Sequence, residues 1–415
     1  MVSASIHRRF RLCFGDRRTI GEGKESRVSE RWRALSWILV ARIAYGVQLQ
    51  AVPSTASTLG RELSLSFADI GLLIGLFMLP GIVIAVPAGL LGQRFGDRRV
   101  ALIGLALMVL GAITGAFANG FVALAAAQVI AGIGALLMGV LTTKMTADWF
   151  AGRDLPLGLA VMLNGFPVGM ALGQALFPAL AEAASWRAAF IAGAIAATLG
   201  FLALILPYRR HPNDRAQRGA DAPSTRLSRG ELAAMIVAGM IWAAYNGCYM
   251  ILAGFTPVYL ASIGLTPHTA GYFASATTMA SVAGVMAGGL FTRRLGNPDR
   301  LIAAAAVLWA ALLVAAPFTN PSIMLVIAGF VGGIPAGLIS AMPGQVLRPQ
   351  TRGPGLGVFF TWLYIGFAAT PALGGWMADL LHRPEAPLYT GAALLLAALP
   401  LLAVFGVMRR RLVGT

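Results

Sequence analysis

Charge, histidine and cysteine are all scarce in this chain. Only 12% of its 415 residues are Asp, Glu, Lys or Arg, while 58% are hydrophobic. A water-facing globular domain carries roughly 25% charged residues, so an ordinary soluble protein is excluded. The two cysteines, Cys13 and Cys248, lie in a basic tail and in an apolar run, and no disulfide framework follows from them. His7, His211, His268 and His382 are scattered through polar stretches. Clustered His, Cys or Asp is what metal or acid–base chemistry needs, and its lack argues against an enzyme. No Gly-rich phosphate-cradling loop is present, which argues against an ATP-driven pump. No metal or cofactor is expected. Alternating segments of about ten residues, the mark of a transmembrane β-barrel, are missing too.

What the chain does have is apolar length. Its mean hydropathy is +0.76, and its apolar runs reach the roughly 17–25 residues needed to cross the hydrocarbon layer as helices. Glycine (50) and proline (22) recur inside these runs, as membrane helices tolerate. Twelve spans are expected at 35–59, 66–93, 100–117, 121–147, 157–181, 187–207, 232–256, 268–292, 301–318, 322–346, 355–379 and 387–408. The fold class expected is all-α integral membrane. Of the 32 Lys and Arg, 27 fall in the two tails and in alternate loops, and only Arg61, Arg187 and Arg383 fall in the others. That asymmetry predicts cytoplasmic termini in a bacterial inner (plasma) membrane. It also accounts for the net charge of +16 without nucleic-acid binding.

The chain repeats itself. At an offset of 200 positions Tyr45 meets Tyr245, Leu65 meets Leu265 and Gly71 meets Gly271. Gly89, Leu90, Arg94 and Gly96 likewise meet Gly289, Leu290, Arg294 and Gly296. The organisation expected is a basic, disordered cytoplasmic tail (1–34), a six-helix bundle (35–207), a polar linker (208–231), a second six-helix bundle (232–408) and a short tail (409–415). In such parallel duplications the ligand site lies near the bilayer midplane between the halves.

Between spans two and three the sequence reads Gly89-x-x-x-Gln93-Arg94-x-Gly96-Asp97-Arg98-Arg99, and it returns in shortened form as Gly289, Arg294 and Gly296 between spans eight and nine. The first version resembles the loop motif of the major facilitator superfamily. Gln128-Val-Ile-Ala-Gly132-Ile-Gly134-Ala135 resembles that family's fourth-helix signature, and Asp148-Trp149-Phe150 and Ser185-Trp186-Arg187 sit where such proteins have similar words. The resemblance covers nearly the whole chain. It implies two pseudo-symmetric six-helix bundles, carriage of a small solute by alternating access, and a cytoplasmic latch between halves formed by the loop residues. The chain departs from the pattern at Gln93, where the motif is acidic, and at Gln128, where the family has an arginine. Gly165, Gly169 and Gly173 in span five form a close-packing stripe that departs from the family's antiporter motif at Gln174 and Phe177-Pro178.

Charges inside a membrane are functional candidates by default. None of the sixteen acids falls at mid-span, so no deep carboxylate is at hand for a proton or a cation. The basic side differs. Arg42 lies about 10 Å into span one at 1.5 Å per residue, with Tyr45, Gly46 and Gln50 on the same face and Gln48 elsewhere. A guanidinium beside amide and phenol donors suits a carboxylate or inorganic oxyanion. The alternatives are snorkelling to the headgroups and an internal pair with Asp148. Lys144, nearer its helix end, is expected to snorkel. Gln128, Asn164, Gln174, Tyr245, Asn246, Tyr249 and Tyr364 complete the candidate set of mid-span polar groups, each capable also of plain helix-to-helix bonding. The reading is a monomeric carrier of a small organic or inorganic anion. Gln48, Gln50 and the GLLIGLFMLPG run of span two resemble the nitrate- and cyanate-porter branch, and the alternative is a drug or metabolite exporter.

Overall fold

The computed structural model describes residues 16–151, 154–206, 208 and 226–413. Among them are eleven helices long and apolar enough to cross a membrane, and a bent pair, Glu30–Leu49 with Pro53–Leu63, that makes a twelfth span with a 43° kink. Of the expected tail, residues 1–15 lie outside the described residues, and the first helix starts at Asp16. Over 16–34, where a disordered tail is expected, the structure has helix. A span that is already nucleated extends cheaply into Glu, Lys and Arg, which are good helix formers. Residues 209–225 of the linker and the last two residues also lie outside the description.

Several spans are broken where proline removes a donor or the ladder opens. Span two is Phe67–Met78 followed by Gly81–Phe95, interrupted at Pro80. Span ten is Pro321–Gly333 followed by Ala336–Ser340, interrupted at Pro335. The tight turn after span two uses Gly96 at φ +90°, and the one after span eight uses Gly296 at φ +71°, backbone that glycine adopts without strain. This is why the repeat retains glycine at both positions.

The helix contacts obey the repeat. Span one packs on spans five (Leu155–Ala183) and six (Arg187–Ile205), as span seven (Arg229–Ser262) packs on eleven (Arg352–Leu381) and twelve (Ala386–Val413). Span three (Asp97–Ala116) packs on four (Phe121–Trp149) and six, as nine (Pro298–Ala315) packs on ten and twelve. The halves meet through two symmetry-related pairs, span two with eleven and span five with eight (Pro267–Leu295).

These cross-half contacts are closest towards the face opposite the chain ends. Gly71 and Gly75 of span two lie against the backbone of span eleven, where an added Cβ would come within 2.1 Å of Pro371 O and 2.0 Å of Ala368 O. A Cβ on Gly271 of span eight would come within 2.3 Å of Gln174 O. Asp379, near the end of span eleven, accepts from Phe67 N–H at 3.1 Å and Ala68 N–H at 2.7 Å. Ser66 caps the same helix through Asp69 N–H at 3.1 Å. The first orphan donors of span two are thus shared between its own cap and a carboxylate from the other half. Glu182 of span five also faces His268 of span eight at 3.5 Å.

On the basic face, where the chain ends lie, the ion pairs form within a half. Lys144 pairs with the buried Asp97 at 2.8 Å, Arg31 with Asp154 at 2.8 Å, Arg348 with Glu231 at 2.9 Å and Arg409 with Asp299 at 2.7 Å. Lys144, expected to snorkel, is held by a buried carboxylate of the neighbouring helix while its side chain stays 40% exposed. The molecule is closed on one face and open on the basic one.

Candidate functional site

A cavity of about 700 Å³ lies between the halves. It reaches from mid-depth, at Arg42, Tyr249 and Phe367, towards the basic face at Thr143 and Gly357. At 1.5 Å per residue, Thr143 is about 9 Å from the end of span four, and Gly357 about 8 Å from the start of span eleven. Seven of the eleven candidate binding residues line it: Arg42, Tyr45, Asn164, Tyr245, Asn246, Tyr249 and Tyr364. They come from spans one, five, seven and eleven, which the repeat relates in pairs.

Among the described residues that line the cavity, Arg42 is the only charged one. Its guanidinium forms no hydrogen bond or ion pair with any described residue, and its Nε is buried without a partner. It lies over the Tyr45 ring, 5.5 Å from the centroid, a favourable cation–π placement. Gly139 of span four makes room for it, since an added Cβ there would sit 2.8 Å from Nη1. Neither the pair with Asp148 nor an escape to the headgroups is adopted.

The other polar groups are partly committed. Tyr245 Oη donates to Gly332 O at 2.9 Å. Asn164 and Asn246 turn their amide nitrogens to Ala160 O at 2.8 Å and Trp242 O at 2.9 Å, each a turn back on its own helix. Tyr45 Oη lies 3.5 Å from Met78 Sδ. The remaining wall is largely apolar and aromatic, with Phe166, Trp242, Phe360 and Phe367 beside aliphatic residues. Trp242 stacks on Tyr245 with centroids 5.3 Å apart and rings 4° from parallel. Sequence reasoning passed over Trp242 because it screened for polar groups; its place three residues before Tyr245, on the same helical face, was the available signal.

Four candidates lie outside the cavity wall. Gln48 donates to Met108 O at 2.8 Å, Gln128 to Leu73 O at 3.1 Å and Gln174 to Ala253 O at 3.0 Å, while Gln174 also accepts from Thr278 at 2.7 Å. Gln50 accepts from Ser54 at 3.3 Å. All four are buried and serve as helix-to-helix or local bonds, the structural role polar residues commonly take in membrane bundles.

The loop residues of the expected latch are engaged only on their own side. Asp97 holds Lys144, and Arg98 donates to Leu204 O and Ile205 O at the end of span six, both at 2.7 Å, where a cation complements the helix dipole. Arg94 lies over Phe95. Gln93, Arg94 and Arg99 are exposed, as are Arg294 and Gly296. Gly89 and Gly289 have open space around an added Cβ. With the basic face open, none of these residues is shown bridging the halves.

Outside the membrane, Glu231 is the most perturbed group. It is buried at the start of span seven, where it completes a capping box with Ser228. It also accepts from Arg348 at 3.0 and 2.9 Å and from Thr351 at 2.7 Å. These donors, the Arg348 bond first, hold its carboxyl well below the ordinary Glu range, and Arg348 is raised in return.

A duplicated helical bundle with a solute-sized cavity between its halves, closed on one face, is the architecture of an alternating-access carrier. The model of the Major Facilitator Superfamily matches residues 38–322 and 237–413, and the chain belongs to that family. It is a multi-pass membrane protein and a secondary transporter of small solutes, not an enzyme. It is 26% identical over 381 residues to the 3-(3-hydroxy-phenyl)propionate transporter of Escherichia coli, covering 88% of this chain and 91% of that one. It is 24% identical to the uncharacterised transporter YycB of Bacillus subtilis, over 89% and 92% of the two chains. Among solved structures, the nucleoside transporter NupG superposes with a TM-score of 0.71 at 14% identity, covering 91% of this chain and 99% of that one. A bacterial homologue of the lysosomal transporter Spinster, solved inward-facing and occupied, gives 0.71 at 15% identity, covering 93% and 97%.

Proposed function

We propose that the protein carries a small organic monoanion, an aromatic or similarly flat carboxylate, by alternating access. The observation that carries this is Arg42, a guanidinium with no acidic partner, set in a cavity otherwise walled by rings and aliphatic groups. A bidentate carboxylate satisfies the guanidinium, while Trp242, Phe360 and Phe367 offer faces to an apolar body. The E. coli relative named for a phenylpropionate supports the same class.

The narrower reading as a nitrate or cyanate porter is the less favoured one. It leaned on Gln48, Gln50 and the GLLIGLFMLPG run of span two; the two glutamines are engaged in helix contacts, and a cavity of about 700 Å³ is large for an inorganic anion of that size. The exporter alternative keeps one favourable observation, the apolar wall, which suits a neutral amphiphile. Under this proposal the protein acts as a monomer in a bacterial inner membrane, with termini and cavity mouth on the cytoplasmic side, a placement the Lys/Arg asymmetry supports.

Flux into proteoliposomes with a matched panel tests the proposal: 3-phenylpropionate, 3-phenylpropanol, 3-phenylpropylamine and nitrate. Carriage of the carboxylate alone is expected. Carriage of the alcohol or amine at equal rate supports the exporter, and carriage of nitrate alone restores the porter reading.

A further inference from the structure

The electrostatics of the cavity bear on what the empty carrier is able to do. Among the described residues that line it, Arg42 is the only charge, and none is Asp, Glu, His or Lys. The phenols there are neutral at physiological pH by their ordinary value of about 10. Of the cations towards the basic face, Lys144 pairs with Asp97 and Arg348 with Glu231, each within its own half. No described residue lining the cavity neutralises the guanidinium by pairing or by giving up a proton.

In the open state water does this. Alternating access requires the basic side to close, and the wall that closure would compress is largely apolar, with Ile82, Val140 and Leu163 on one half and Val285, Phe360 and Leu363 on the other. Their closure expels the water that solvates Arg42. A guanidinium left unpaired in such a site carries the full desolvation cost of a buried charge. One held by a single carboxylate enters the occluded state as a neutral pair.

We infer that the transporter is an obligate exchanger, whose halves rock only when Arg42 is covered by one monoanion, so that one anion leaves for each that enters. This rests on the proposal that Arg42 binds the substrate. It assigns the mode of transport: the carrier equilibrates two pools of monoanion and does not accumulate one on its own. The penalty on the empty carrier predicts exchange at least about 100-fold faster than net flux.

The experiment uses the full chain in vesicles of potassium polyacrylate, an anion too large for the cavity, with the potential clamped by valinomycin and equal potassium on both sides. Uptake of labelled 3-phenylpropionate is compared between vesicles preloaded with unlabelled 3-phenylpropionate and vesicles without it, after subtraction of flux into protein-free vesicles. Exchange at least about 100-fold above net uptake is the expected result. Equal initial rates overturn the inference while leaving an anion carrier. No flux from either vesicle, with protein that stays monodisperse, withdraws the anion proposal and this inference with it. Arg42→Gln supplies the second arm. Without the charge the empty carrier is free to rock, so the ratio of exchange to net uptake collapses towards one in the residual flux. A variant that is merely damaged lowers both rates and keeps the ratio; that outcome also overturns the inference.

Discussion

Asp379 offers a direct handle on the closed face. Its carboxylate accepts from Phe67 N–H at 3.1 Å and Ala68 N–H at 2.7 Å, and it sits where the positive end of the span-two helix dipole points. Hydrogen bonds to a charged group contribute about 1.5–3 kcal/mol each when buried, and the dipole adds about 0.3–1 kcal/mol. Asp379 is only partly buried, so water replaces much of what is lost. Asp379→Ala should therefore cost the closed face about 1–2 kcal/mol, or roughly a 5–30-fold shift towards opening on that face. Phe117 and Phe318 occupy equivalent exposed positions, after spans three and nine, and spin labels placed there report the separation of the halves. In a Cys13→Ser background, with Cys248 buried, the wild type should give one short distance distribution. Asp379→Ala should add a longer one, and Asp379→Asn, which keeps an acceptor without the charge, a smaller amount of it. Identical distributions in all three would refute the idea that this cap holds the halves together.

Two further predictions concern stability. Lys144→Met leaves Asp97, 2% exposed, without its ammonium partner and should lower stability by about 1–3 kcal/mol; Asp97→Asn in the same chain should recover part of it, read by thermal unfolding in detergent. The carboxyl of Glu231 is depressed on folding, so its contribution is complete above the ordinary value of about 4.3 and is lost as pH falls through the folded value. The stability gap between wild type and Glu231→Gln should accordingly stay constant from pH 7 to about 5 and narrow below about 4. A gap that widens under acid contradicts the assignment.

Hydropathy made the helical membrane fold legible, and the helix contacts are related in the way the offset of 200 positions would have them. Runs of 20 apolar residues have few alternatives in lipid, so composition alone carries far. The breaks at Pro80 and Pro335 were not anticipated, because a proline within an apolar run fits a straight helix end as well as a break. Mid-span polarity identified Arg42, Tyr245 and Tyr364 on the cavity wall, yet it did not separate them from Gln48, Gln128 and Gln174. A helical face read at 100° per residue tells which residues share a direction, not whether that direction meets a cavity or a neighbouring backbone. Lys144 fell to the same limit: its partner lies 47 residues away in sequence, and only packing brings the two together.

The claim on which the account turns is that one unpaired guanidinium selects an anion. Quenching of tryptophan fluorescence on titration gives equilibrium affinities, because Trp242 lines the cavity beside Tyr245. A charge-assisted bidentate bond of about 2 kcal/mol predicts that 3-phenylpropionate binds about 30-fold more tightly than 3-phenylpropanol, and that Arg42→Gln erases the difference. Equal affinities for acid and alcohol in the wild type, or a preference for the acid that survives Arg42→Gln, would contradict it.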